Sequence, residues 1–172
     1  MKISCLSLGL LSTMCWLYLT PTTGNKIFQF GPCMISMNVN EIRASFTAIK
    51  ATIQAKDAVR TISILKDIIS LKSADRCCII HHLLRFYVDK VFKHCETEDS
   101  HVNRKISSIA NSFLFIKKKF RQCTWVPFCS FQIAIIIYQI FLSIYFQLNT
   151  ASAAMKSLGE LDILLDWMEK AH

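Results

Sequence analysis

Residues 77–82 read Cys-Cys-Ile-Ile-His-His, the densest cluster of chemically capable side chains in the chain. On a helix, Cys78 lies one turn from His81 and His82, the spacing at which side chains become neighbours. Zinc would draw on such thiolates and imidazoles, but it takes four ligands, and this cluster offers at most three neighbours. Disulfide formation is the commoner use of cysteines in a secreted chain. The second group with chemical potential is acidic. Glu160, Asp162, Asp166 and Glu169 recur at helical spacing near the C-terminus and read as the polar face of a helix. A carboxylate catalyst would need a second carboxylate opposite them in a pocket. No nucleophile elbow, P-loop, zincin or dinucleotide fingerprint occurs. The expectation is a chain that works through its surface and is not an enzyme, with neither metal nor cofactor.

The cysteines also bear on where the protein resides. Residues 1–24 have one early Lys, an apolar run from Leu6 to Leu19, a polar break, and Thr22 and Gly24 at the positions signal peptidase favours. This predicts a signal peptide, with the mature domain at 25–172 secreted to an oxidising, extracellular setting. Cys33, Cys77, Cys78, Cys95, Cys123 and Cys129 then remain. Six cysteines allow fifteen connectivities, and spacing alone does not choose among them. Successive helical side chains diverge by about 100°, so Cys77 and Cys78 suit two different partners. Cys78 and Cys95 on one helix would lie about 25 Å apart, far beyond disulfide reach.

Helices must position these groups. The 172 residues suggest one domain with a real core, and only four Gly and three Pro argue for long helices. Asn38 caps a first helix, with Glu41 three residues on and Ile42, Phe46, Ile49 and Ile53 on one face. A short apolar segment spans 61–71. Asp75 caps a third helix striped by Ile80, Leu83, Leu84, Tyr87, Val88, Val91 and Phe92. A fourth aligns Ile106, Ile109, Phe113, Ile116 and Phe120, and a last helix over 151–172 aligns Leu158, Leu161, Leu165 and Met168. The pattern is all-α, a single bundle of five or six helices. The formal charge is +8, with one cluster at Lys117, Lys118, Lys119 and Arg121. Cations there oppose the negative end of a helix, so the cluster reads as a solvated helix end and not as a nucleic-acid site.

Between Arg121 and Lys156 no residue is charged, and 131–148 is FQIAIIIYQIFLSIYFQL. Eighteen residues of helix reach about 27 Å, near the thickness of a bilayer core. Yet Gln132, Gln139, Ser143 and Gln147 fall within about 80° of one another on a helix, giving one narrow polar stripe. The basic cluster before the segment would also set its N-side cytoplasmic, the wrong side for a domain that follows a cleaved signal. Three readings follow: a bundle helix with excess apolar surface, a membrane span, or miscoded sequence that transcript sequencing would expose.

Several long stretches resemble the interleukin-10 family of class II helical cytokines, in its interleukin-19/20/24 subgroup. They are LSTMCWLYLTPTTG, NEIRASFTAIKATIQAKD, RCCIIHHLLRFYVDKVFKH, RKISSIANSFLFIKK and AAMKSLGELDILLDWMEK, covering most of 1–123 and 147–172. The resemblance implies an antiparallel helical cytokine bundle of about six helices. It implies a secreted monomer that joins two class II receptor chains and signals through Janus kinases and STAT factors in immune and epithelial responses. The implied partners are the interleukin-20 receptor beta chain with either the interleukin-20 receptor alpha chain or the interleukin-22 receptor alpha-1 chain. By position, Lys50, Gln54, Lys56, Asp57, Asp162, Asp166 and Glu169 fall on one receptor surface. Arg43, His82, Arg85 and Asp89 fall on the other. The family pattern pairs Cys33 with Cys123 and Cys77 with Cys129. Its last cysteine falls on Phe131, which leaves Cys78 and Cys95 as spare thiols able to link two chains. The segment 124–146 departs from the family, where a charged amphipathic helix stands. The alternative function is therefore a membrane-retained or non-signalling paralogue.

Overall fold

Residues 26–37, KIFQFGPCMISM, are two short apolar-rich runs on either side of Gly31 and Pro32, the pattern of two strands joined by a turn. In the computed structural model they form an antiparallel hairpin of β1 (Lys26–Phe30) and β2 (Cys33–Met37). The structure describes residues 24–69, 76–123 and 131–170, apart from the side chains at 67–69, 76–77, 131–134 and 137–138. Phe30 pairs with Cys33, leaving Gly31 and Pro32 as a two-residue turn. Gly31 takes φ 60°, a value the first central residue of a mirror-image hairpin turn needs and a Cβ would disfavour. Phe28, Phe30, Cys33, Ile35 and Met37 share the buried face. The all-α expectation did not include this hairpin; its Gly-Pro pair is a turn signal, but the exposed Ile27 and Met34 blur the strand period.

The helices follow the apolar periods. In α1 (Val39–Ala55), Asn38 Oδ1 accepts from the Glu41 amide at 3.1 Å, and Ile42, Phe46, Ile49 and Ile53 are buried as predicted. A short α2 (Ile64–Ile69) occupies the second apolar segment. Next comes α3 (Arg76–Phe86), which runs through one π-helical turn, Tyr87–Val91, to Phe92–His94. Of its predicted stripe, Ile80, Leu83, Leu84, Tyr87 and Val91 are buried and Val88 and Phe92 partly so, but Cys78, Ile79, His81 and Phe86 are buried too. The helix is covered on more sides than its stripe implied because α4, α5 and α6 all pack against it or its π turn.

In α4 (Ser100–Gln122), Asp99 caps the first amides, and the five predicted apolar residues are buried with Val102. The uncharged segment forms α5 (Phe131–Gln147), packed on α2, α3 and α6. Phe141 and Tyr145 are buried, and Phe141 stacks on Phe86 with ring centroids 4.2 Å apart. Gln139, Ser143 and Gln147 face solvent as predicted, flanked by exposed Ile135, Ile136 and Phe146, while the side chain of Gln132, the fourth residue of the expected stripe, lies outside those described. Among the described residues, no helix is long and apolar enough to cross a membrane.

The expected last helix is two, α6 (Thr150–Gly159) and α7 (Leu161–Lys170). The break falls at Glu160, whose backbone leaves the helical region (φ −100°, ψ 12°) as its side chain turns inward. Central to the bundle, α6 is buried along its whole second half, and Tyr87 donates a hydrogen bond to the Ser157 carbonyl.

Candidate functional site

Arg43 and Lys50 are seven residues apart and so share one face of α1; Asp162, Asp166 and Glu169 share one face of α7. The fold lays these faces side by side. Arg43 bonds Asp166 at 2.8 Å and Glu169 at 2.9 Å, and Lys50 bonds Asp162 at 2.6 Å. Gln54 continues the seam by donating to the Gly159 carbonyl at 3.2 Å. Arg43 thus stands with the first predicted set of residues and not the second. Its reach across to α7 depends on tertiary packing, which position along α1 does not reveal. Each half-exposed pair contributes only about 0–1 kcal/mol, so the seam is a polar surface more than a stabilising device.

Lys56 ends α1 in solvent. Asp57 turns the other way and bonds Lys156 Nζ at 2.9 Å, in a pair whose side chains are 15% and 7% exposed. Lys156 also lies 3.7 Å from Glu160. Glu160 Oε1 and Oε2 accept from the Ile64 and Leu65 amides at 3.1 and 2.8 Å. The reading of Glu160 as a solvated polar-face residue is therefore corrected: it is buried and holds the start of α2. Lys156 stands alone between small and apolar residues, and such a Lys carries no sequence signal of its burial.

His82, Arg85 and Asp89 form a separate surface on α3 and its π turn, joined by Lys117 from α4. Asp89 bonds Lys117 at 2.7 Å and Arg85 at 3.5 Å. Burial pushes the Asp89 carboxyl up, but the hydrogen bond and charge of Lys117, with Arg85 and Lys93, hold it below its ordinary value. Burial, then Arg85, lowers His82. From the basic cluster, Lys117 is spent on Asp89, and Lys119 lies over the Phe115 ring 5.4 Å from its centroid.

His81 faces inward, its ring 5.5 Å from that of Phe120, with Nδ1 buried and unpartnered. Burial first, then the charges of His82, Arg85 and Lys117, lower its pKa to about 4. A depressed folded-state pKa means the unfolded chain binds the proton more readily. The stabilising contribution is whole above pH 6.5 and lost as pH falls toward 4. The expected loss is at most about 3 kcal/mol. Urea unfolding from pH 7 to 4 should show it, and His81→Leu should flatten that part of the profile.

Cys33 and Cys123 are bridged, with Cα atoms 5.8 Å apart, as the resemblance implied. Cys78 is itself disulfide-bonded and buried, so it is no spare thiol. The expected Cys77–Cys129 bridge lies outside the described side chains, and residues 1–23 of the expected signal peptide over 1–24 lie outside the described residues. Cys95 is free but 4% exposed, and burial pushes its thiol up to about 12. It should resist iodoacetamide at pH 8 in the folded protein and react after denaturation, as mass spectrometry would read; labelling of the native protein would contradict its burial. A thiol so enclosed cannot link two chains without opening the fold.

The arrangement holds two charged surfaces on one packed bundle, suited to recognition. The family described as Interleukin 10 matches residues 9–171. Interleukin-20 of Mus musculus is 44% identical over 96% of this chain and 96% of its own length. Interleukin-19 of Homo sapiens is 42% identical over 100% of this chain and 97% of its own. Among solved structures, the crystal structure of human interleukin-19 superposes with a TM-score of 0.68 at 41% identity, covering 78% of this chain and 88% of that one. The structure of PROSS-edited human interleukin 24 does so with a TM-score of 0.66 at 32% identity, covering 84% and 98%. These relatives are interleukins, which are not enzymes, and the chain belongs with them to the interleukin-10 family of helical cytokines.

Proposed function

We propose that this chain is a secreted, monomeric interleukin-20-like cytokine that joins two class II receptor chains. One is the interleukin-20 receptor beta chain; the other is the interleukin-20 receptor alpha or the interleukin-22 receptor alpha-1 chain. The observation that carries the reading is the pair of separate charged surfaces on one packed bundle. The first is the α1–α7 seam of Arg43, Lys50, Gln54, Asp162, Asp166 and Glu169, continued by Lys56 and Asp57. The second is His82, Arg85 and Asp89. A rigid ligand with two faces holds two receptors close enough for their kinases to act on one another, and STAT factors carry the signal onward. The partly exposed pairs of the seam can exchange partners with receptor side chains at little energetic loss.

Expression in mammalian cells tests this. The protein should enter the medium, and that medium should drive a STAT reporter only in cells bearing one of the two receptor pairs. Retention in the membrane fraction, or secreted protein without reporter activity in either cell type, would favour the non-signalling paralogue instead.

A further inference from the structure

The loop between α1 and α2 joins the proposed α1–α7 receptor surface, and a buried charge cluster fastens it from beneath. Its near end is held by Asp57 on Lys156, its far end by the Ile64 and Leu65 amides on the Glu160 carboxylate. Lys156 and Glu160 belong to α6 and its end, so one short stretch grips both ends of the loop. A buried carboxylate and ammonium are costly to desolvate and add little net stability compared with apolar side chains. That cost is unexplained by packing alone, since Leu158 and Leu161 beside them are wholly buried. Above the cluster lie two adjoining open clefts of about 540 and 600 Å³. Both are lined by Arg60, Lys156 and Glu160, and Arg60 itself is exposed.

We infer that Glu160 and Lys156 are positioning residues that preset residues 57–65 for receptor binding. The inference rests on the proposed function. Without the clamp the loop samples other conformations, and binding must select the competent one. If that conformation is held a tenth of the time, affinity falls about tenfold.

The test uses Glu160→Gln, which keeps shape but removes the charge. Ser63→Ala is the second variant; it removes the hydroxyl that accepts from the Lys66 amide at 3.2 Å, loosening α2 without touching the clamp. Amide hydrogen exchange is read together with binding of each receptor ectodomain separately. Glu160→Gln should speed exchange at Ile64 and Leu65 and weaken the receptor chain that docks on the α1–α7 seam by about tenfold. Affinity for the other receptor chain should not change. Ser63→Ala should act in the same direction by a smaller factor. Weakened binding without faster exchange would mean that Glu160 touches the receptor directly, overturning the inference. Faster exchange with parental binding to both chains would overturn it too. If the parent binds neither chain, the functional reading fails and the receptor half of this inference falls with it, while exchange still reports whether the clamp exists.

Discussion

Phe141→Ala should destabilise the protein by about 3–5 kcal/mol, the usual range for emptying a buried Phe site. Phe141 is 2% exposed and stacks on Phe86, and Tyr145, one turn further along α5, meets Phe86 edge-on at 5.8 Å. The substitution leaves a hole between α3 and α5 that neither helix can close alone. Phe146, five residues on, is 78% exposed, so Phe146→Ala should shift stability by no more than about 0.5 kcal/mol. Guanidinium unfolding of both variants measures the contrast, with unchanged m-values showing that the unfolded state is not altered. Equal, small effects would mean that α5 is not part of the cooperative core, and the membrane-retained paralogue would regain ground. The contrast therefore decides the most unusual stretch of this chain, the one with no charge over thirty-odd residues.

Opening the Cys33–Cys123 bridge should cost about 4–5 kcal/mol if the chain-entropy account holds, because the bridge closes a loop with a sequence separation of 90. Domains of this size have only about 5–15 kcal/mol to lose. The bridge also fixes the hairpin where it meets α4: Phe30, three residues before Cys33, packs on Phe120, three before Cys123, at 5.1 Å. The double variant Cys33→Ser/Cys123→Ser should lower the denaturation midpoint strongly and release the hairpin first. Exchange of the Phe28 and Phe30 amides would then rise ahead of that in α1. A midpoint within about 1 kcal/mol of the parent would show that apolar packing alone holds the hairpin, and the entropic account would fail here.

Most helices were legible because their apolar residues recur with the period of the helix itself. Asn38 and Glu41 announced the start of α1, and Ile106 to Phe120 named the inner face of α4 before any packing was known. The hairpin was less plainly written: Gly31 and Pro32 mark its turn, but Ile27 beside Phe28 and Met34 beside Ile35 blur the period of two, and those two side chains stay in solvent. Other features had no local signal. A stripe says which side of α3 is buried first, not that a second layer will cover Ile79 and Phe86. The polar stripe of α5 was correct at Gln139, Ser143 and Gln147, while its apolar flanks were divided by the neighbours: Phe141 inside, Phe146 outside.

The sequence by itself determined the helical periods, the capping at Asn38 and, through its family resemblance, the Cys33–Cys123 pairing. These follow from interactions within one or two turns of chain, or from long stretches shared with relatives. Only the tertiary structure decided that Arg43 joins Asp166 and Glu169, that Lys156 is buried, and that Glu160 breaks the last helix to hold the start of α2. Glu160 and Ile64 are 96 residues apart. A carboxylate at helical spacing looks the same in sequence whether water or a distant amide receives it, and its partner is known only once the chain has folded back.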